Sequence, residues 1–162
     1  MKTDLRKELI EELKKRNLLE QEEDQDTEDT TEENETEEGS TNEDFCVMIC
    51  QLLHSQTQVH VFHLGTKSYA EHKALQGYYE GIDALVDGLV ESYQGKYGLM
   101  KNYKSFKMVS YKNKKQVLSY FTQLLNTIEE NRESVDDSYI QNQIDTVQEL
   151  IYSTMYKLKF LN

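Results

Sequence analysis

Residues 60–97, HVFHLGTKSYAEHKALQGYYEGIDALVDGLVESYQGKY, carry the pattern on which the fold turns. They read as the end of one helix, a tight turn and a long second helix, capped at its start by Ser68 and closed by the turn signal Gln94-Gly95. Along the second helix His72, Gln76, Glu80, Asp83, Asp87 and Glu91 recur every three or four residues. At about 100° per residue they share one arc. Leu75, Tyr79, Ile82, Val86, Leu89 and Tyr93 fill the neighbouring arc. A buried stripe flanked by histidine and carboxylates suits a metal held at a subunit seam. It suits equally an amphipathic helix with a solvated edge.

Working outward, the chain from residue 45 predicts helices almost throughout. The helix that ends near Gly65 starts at a cap formed by Asn42 to Asp44 and buries Phe45, Met48, Ile49, Leu52, Leu53, Val59 and Phe62. A third, from Asn113 to Asn131, carries the stripe Val117, Phe121, Leu124 and Ile128. A fourth, from Ser138 to Phe160, carries Ile140, Ile144, Val147, Ile151 and Leu158. Period-two alternation never persists, so a sheet is not expected. The first two helices are joined by a few residues, as are the last two. About twenty residues separate the pairs, and extended they reach about 65 Å, enough to travel the length of a helix. Two tight hairpins joined by one long crossover is the ferritin-like form of the all-α four-helix bundle.

The N-terminal part has a different organisation. In residues 1–19 Leu5, Leu9 and Leu13 recur every four residues and Ile10 widens the stripe. A helix of about four turns is marginal alone in water, so this stripe reads either as a docking helix for a partner or as one that folds back. Residues 20–44 hold fourteen Asp or Glu, no Lys or Arg and no aliphatic or aromatic residue. That composition cannot bury enough surface to offset ordering, which predicts a flexible acidic tether. It reads as a solubilising linker, as an arm for a basic surface, or as a mimic of nucleic acid.

The formal net charge of −12 therefore belongs to the tether, since residues 45–162 carry twelve acidic and twelve basic groups. The crossover from Lys96 to Lys115 has seven lysines and no acid, interleaved with Tyr97, Tyr103, Phe106 and Tyr111. Such a strip can track a nucleic-acid backbone, anchor itself by its tyrosines, or receive the acidic tether. Protein contacts are preferred, because a strongly anionic chain is repelled by phosphates, and direct nucleic-acid binding is not expected. Cys46 and Cys50 lie four apart on one helix face, which favours two reduced, buried thiols. No window of 18 apolar residues occurs and the N-terminus has no secretory pattern, so neither membrane insertion nor export is expected. No nucleophile triad or phosphate loop is suggested. The eleven tyrosines, with no tryptophan, suit protein interfaces as well as core edges.

Two resemblances follow from these residues. His60 and His72, twelve apart, with Asp87 and Glu91 fifteen and nineteen beyond His72, resemble the site of the Dps branch of ferritin-like proteins; Gln76 stands where that site has an acid, and His63 is a second match for the first histidine. The segments HSQTQVHVFHLGTKSYAEHKALQGYYEGIDALVDGLVESYQGKYG and DSYIQNQIDTVQELIYSTMYKLKFL are similar to an uncharacterised ferritin-like family of tailed bacteriophages. The second resemblance implies a virion, with host cytoplasm during assembly, and partners among other virion proteins or copies of the chain. The expected role is a non-catalytic structural subunit of a head, neck or tail region, without cofactor. The alternative is a Dps-like ferroxidase that protects DNA, with iron held across subunits by His60 or His63, His72, Asp87 and Glu91. A further reading is a decoy whose acidic arm occupies a DNA-binding host protein. The helix from Phe45 to Gly65 contains no acid and the chain no Glu-x-x-His, so a di-iron site inside one bundle is not expected.

Overall fold

Four helices follow from the four stripes. In the computed structural model, which describes residues 38–161, they are α1 (Glu38–Gly65), α2 (Tyr69–Tyr97), α3 (Lys114–Asn131) and α4 (Ser138–Phe160). A single 3-10 turn, Arg132–Ser134, precedes α4. Among the described residues there is no strand. None of their helices is long and apolar enough to cross a membrane. The expected docking stripe Leu5, Leu9, Ile10 and Leu13, and the tether up to residue 37, lie outside the described residues.

α2 packs against α1 and α4, and α3 packs against the same two helices. The hydrogen bonds give the directions. Gln143 on α4 reaches Gly88 and Ser92 on α2, and Asp137, just before α4, meets Lys96 and Tyr97 at the end of α2. The two helices are therefore antiparallel. The crossover, hereafter the strap, runs back along α1: Lys101 is held at Cys46, Lys104 at Cys50, Val109 at Gln58, and Tyr111 covers Gly65. This return delivers α3 antiparallel to α1, with Tyr120 beside His54 and Thr127 beside Gln51. Every neighbouring pair is thus antiparallel, and the strap spans most of the length of α1.

The core lies where the stripes meet. Phe45, Met48, Ile49, Leu52, Val59 and Phe62 of α1 are buried with Leu75, Tyr78, Ile82, Val86 and Leu89 of α2. Phe121 and Ile128 of α3 and Ile140, Ile144 and Ile151 of α4 complete it. Phe45 stacks on Tyr93 at 3.8 Å between ring centroids. Burying an aliphatic or aromatic side chain of this kind contributes about 1.5–3 kcal/mol, so this seam dominates the stability. Ser55 and Tyr78 bring polar atoms into it and satisfy them mutually: Ser55 donates to the Leu52 carbonyl at 2.6 Å and its oxygen accepts the Tyr78 hydroxyl at 2.7 Å. Burial pushes the Tyr78 phenol well above its ordinary range.

Several expectations from sequence are corrected. Asn42 to Asp44 do not cap α1: they lie within it, since the helix already includes the described residues from Glu38. Leu53 is 43% exposed, and Tyr78 rather than Tyr79 is the core tyrosine. α2 runs through Gln94-Gly95 to Tyr97, where Gly98 at φ 85° adopts the left-handed backbone that glycine takes without steric cost. Its last turn is held by Lys96 and Tyr97 on Asp137 and by the Phe45–Tyr93 stack. Cys46 and Cys50 are free, buried thiols, as their spacing predicts.

Candidate functional site

The α1–α2 turn organises the histidines. Ser68 caps α2 by accepting the Glu71 amide at 3.3 Å, and the Ser68 amide donates to the Thr66 hydroxyl at 3.2 Å. This short connection brings the last turn of α1 level with the first turns of α2. His63 and His72 then stack, their ring centroids 3.6 Å apart. Nδ1 of His63 bonds the His72 carbonyl at 2.9 Å, and Nδ1 of His72 bonds the His63 carbonyl at 3.2 Å. Carbonyls only accept, so in both rings Nδ1 carries a proton and Nε2 is the nitrogen not engaged by that bond. His60 takes another partner and stacks on Tyr79 at 4.2 Å.

Asp87 and Glu91, expected to meet the histidines across two subunits, lie apart from them within one protomer. Asp87 and Glu91 are exposed on α2, and fifteen and nineteen residues beyond His72 place them about 22 and 28 Å along the helix axis. Within one protomer His63 and His72 are brought together, and Asp87 and Glu91 are not. Gln76 accepts from Lys73 and donates to Glu80 at 2.7 Å, extending a polar ladder along the exposed edge. Among the described residues no group of three or more His, Cys, Asp or Glu side chains is placed to hold a metal ion.

A buried carboxylate close to this turn escaped the sequence reading. Glu71 is 3% exposed; its Oε2 accepts from the Thr66 hydroxyl at 3.0 Å and from the Tyr111 hydroxyl at 3.2 Å. It ties the end of the strap to the α1–α2 turn. The other fastenings are side chains that grip main chain. Gln58, fully buried, donates to the Val109 carbonyl and accepts the Val109 amide, both at 2.8 Å. Gln94 accepts the Met100 amide at 3.0 Å, and Gln116 bonds Ser110 and Lys112. Cys46 donates to the Lys101 carbonyl at 3.4 Å, and Cys50 accepts the Lys104 amide at 3.2 Å. Burial, reinforced by the neighbouring Cys50, pushes the Cys46 thiol up to about 11, which keeps it protonated and unreactive. The available signal was Ser55 and Gln58 interrupting an apolar stripe, since polar residues there need partners.

The strap divides the bundle by charge. Residues 45–70 and 92–128, which form most of α1, the strap and most of α3, contain eight lysines and no Asp or Glu. Residues 71–91 and 129–161, most of α2 and all of α4, contain twelve acidic and four basic residues. Lys96 is engaged by Asp137. Lys101, Lys104, Lys107, Lys112 and Lys115 are exposed, and with Lys114 they form no ion pair among the described residues. Of the four strap aromatics, Tyr111 is an anchor and Phe106 leans on His54 at 5.5 Å, while Tyr103 stands half exposed.

A second exposed surface lies on α4. Tyr152, Tyr156 and Phe160 recur every four residues and are 58%, 55% and 68% exposed. Leu64 and Tyr69, at the α1–α2 turn, are exposed at the same end of the bundle. No curated protein and no solved structure matches the chain. A family model described as a family of unknown function (DUF5856) matches residues 63–158, from the stacked His63 to the last core turn of α4.

Proposed function

The chain belongs to this family of unknown function, which hands it no activity, and we propose from its own surfaces that it is a non-catalytic structural subunit of a larger assembly. The bundle is read as ferritin-like: one long crossover returning along α1, with every neighbouring pair antiparallel, supports that topology. The resemblance read from the sequence of residues 54–98 and 137–161 is the ground for proposing a tailed-bacteriophage virion as the assembly, with other virion proteins or further copies as partners. The observation that carries the reading is the Tyr152–Tyr156–Phe160 stripe. Three large, stiff aromatics left open on one helix face are the side chains that anchor protein interfaces. In this reading the stripe Leu5, Leu9, Ile10 and Leu13 supplies a second, tethered contact.

Mass spectrometry of purified particles tests it. The protein is expected in virions, and a Tyr152→Ser, Phe160→Ser pair is expected to lower incorporation by about ten-fold or more while leaving helix content intact. Absence of the wild-type protein from particles overturns the reading.

One observation favours a second reading, a Dps-like ferroxidase. Both stacked imidazoles spend Nδ1 on a backbone carbonyl, the orientation that metal-ligating histidines adopt, leaving Nε2 for iron. Asp87 and Glu91 would then come from an antiparallel second copy. Metal retained in stoichiometric amount by the wild type and lost in an Asp87→Ala, Glu91→Ala pair would replace the structural reading with this one.

A further inference from the structure

The basic side of the bundle has a surface chemistry that the α4 stripe does not share. We propose that the face made by α1, the strap and α3 is a docking surface for an extended, acidic polypeptide segment. The inference deepens the interaction-subunit reading by naming the chemistry of one partner.

Three observations carry it. First, Lys101, Lys104, Lys107, Lys112, Lys114 and Lys115 follow one another along the strap and the start of α3, residues 92–128 carry no carboxylate, and none of the six has an ion pair among the described residues. Glu43 and Asp44, at the start of α1, are the acids near the Lys101–Lys104 end. Repulsion among unpaired like charges disfavours such a row unless an anion offsets it. Second, the strap has no regular secondary structure, turns through Asn102 at φ 63°, and leaves part of its main chain open. Its pinned groups are those of Met100, Lys101, Lys104, Val109, Ser110 and Lys112, whereas the backbone of Ser105 to Met108 makes no hydrogen bond among the described residues. A peptide can offer its own main chain to those open groups while its acidic side chains reach the flanking lysines. Third, Tyr103, Phe106, Met108 and Val109 are exposed between those lysines, with Leu99 exposed just before them. Aliphatic side chains offer apolar contact to a peptide and nothing to a phosphate backbone. Residues 20–44, with fourteen acids and no base, have the chemistry required, so a peptide of that sequence is the natural probe.

The test is zero-length carbodiimide coupling of carboxylates to lysine amines, on the full chain mixed with an isotope-labelled peptide of the 20–44 sequence, mapped by mass spectrometry. Carboxylates of that sequence are expected on Lys101, Lys104, Lys107 and Lys112 about five-fold more often than on Lys157 and Lys159 of α4. The preference should vanish between about 20 mM and 500 mM salt, as the screening length shrinks from roughly 20 Å to 4 Å. A Lys101→Gln, Lys104→Gln, Lys107→Gln variant that keeps its helix content should lose it. Uniform coupling to all exposed lysines overturns the proposal. So does coupling of strap lysines to the carboxylates of α2 or α4, which would assign the face to a second copy. Suppression of coupling by a single-stranded oligonucleotide at lower concentration than by unlabelled peptide would assign it to nucleic acid. None of these results touches incorporation through the α4 stripe, so failure here and failure of the assembly reading are separable.

Discussion

Along α2 and α4 the bundle is joined by side chains meeting side chains; along α1 and the strap it is joined by side chains gripping main chain. In the first region Ile82, Val86 and Leu89 are buried opposite Ile140, Ile144 and Ile151. In the second, Gln58, Gln94, Gln116, Cys46 and Cys50 hold a segment whose residues 101–110 are all exposed. Each buried aliphatic group contributes about 1.5–3 kcal/mol, whereas a hydrogen bond adds a net 0.5–1.5 kcal/mol or so. The α2–α4 seam should therefore open only with global unfolding, and the strap should open on its own.

The substitution with the largest expected effect strikes the seam. Ile82→Ala removes a fully buried side chain and is expected to cost about 3 kcal/mol, read from urea unfolding, with amide protection falling everywhere. Gln58→Ala should cost about 2 kcal/mol, because it orphans both polar groups of Val109. The distinguishing readout is hydrogen exchange: protection should fall at Val109 while α4 is little changed. If α4 loses protection equally, the two regions are not independent. Gly65→Ala is expected to cost about 1–2 kcal/mol, since an added Cβ would sit 2.4 Å from Cβ of Tyr111 and push the strap end away. Solvent exposure of Tyr111 should rise in that variant, by fluorescence quenching.

The smallest effect is a pH dependence on the α1–α3 side. Burial lowers the pKa of His54, whose Nε2 is buried without a partner. The folded state then binds fewer protons than the unfolded one as pH falls through about 6.5, so stability is lost in that direction. The thermal midpoint should drop from pH 7 to pH 5, and His54→Gln should flatten the slope. An unchanged slope would remove His54 as the source.

The sequence was most readable where one period governs a long segment. The bounds of α3 and α4 followed from their stripes and from Asn113, whose side chain accepts the Gln116 amide at 2.9 Å. It was least readable where one distant pair decides the structure. Nothing local says that Gln58 will bond Val109, fifty-one positions away, or that Tyr111 will reach Glu71. The end of α2 was misread because Gln94-Gly95 is a turn signal by composition, while the contacts of Lys96 and Tyr97 with Asp137 are tertiary. For the histidines, spacing left His60 and His63 both open as partners of His72. Ring stacking and reciprocal carbonyl bonds select His63, and helical rise alone carries Asp87 and Glu91 far from both.

The two thiols turn the strap into something measurable. Cys50 accepts the Lys104 amide and Cys46 donates to the Lys101 carbonyl, so a labelling reagent reaches either sulfur only while that segment has lifted away. The alkylation rate of the full chain then acts as a clock for strap release, counted separately from unfolding. Any ligand that closes the lysine row over those sulfurs should slow the clock.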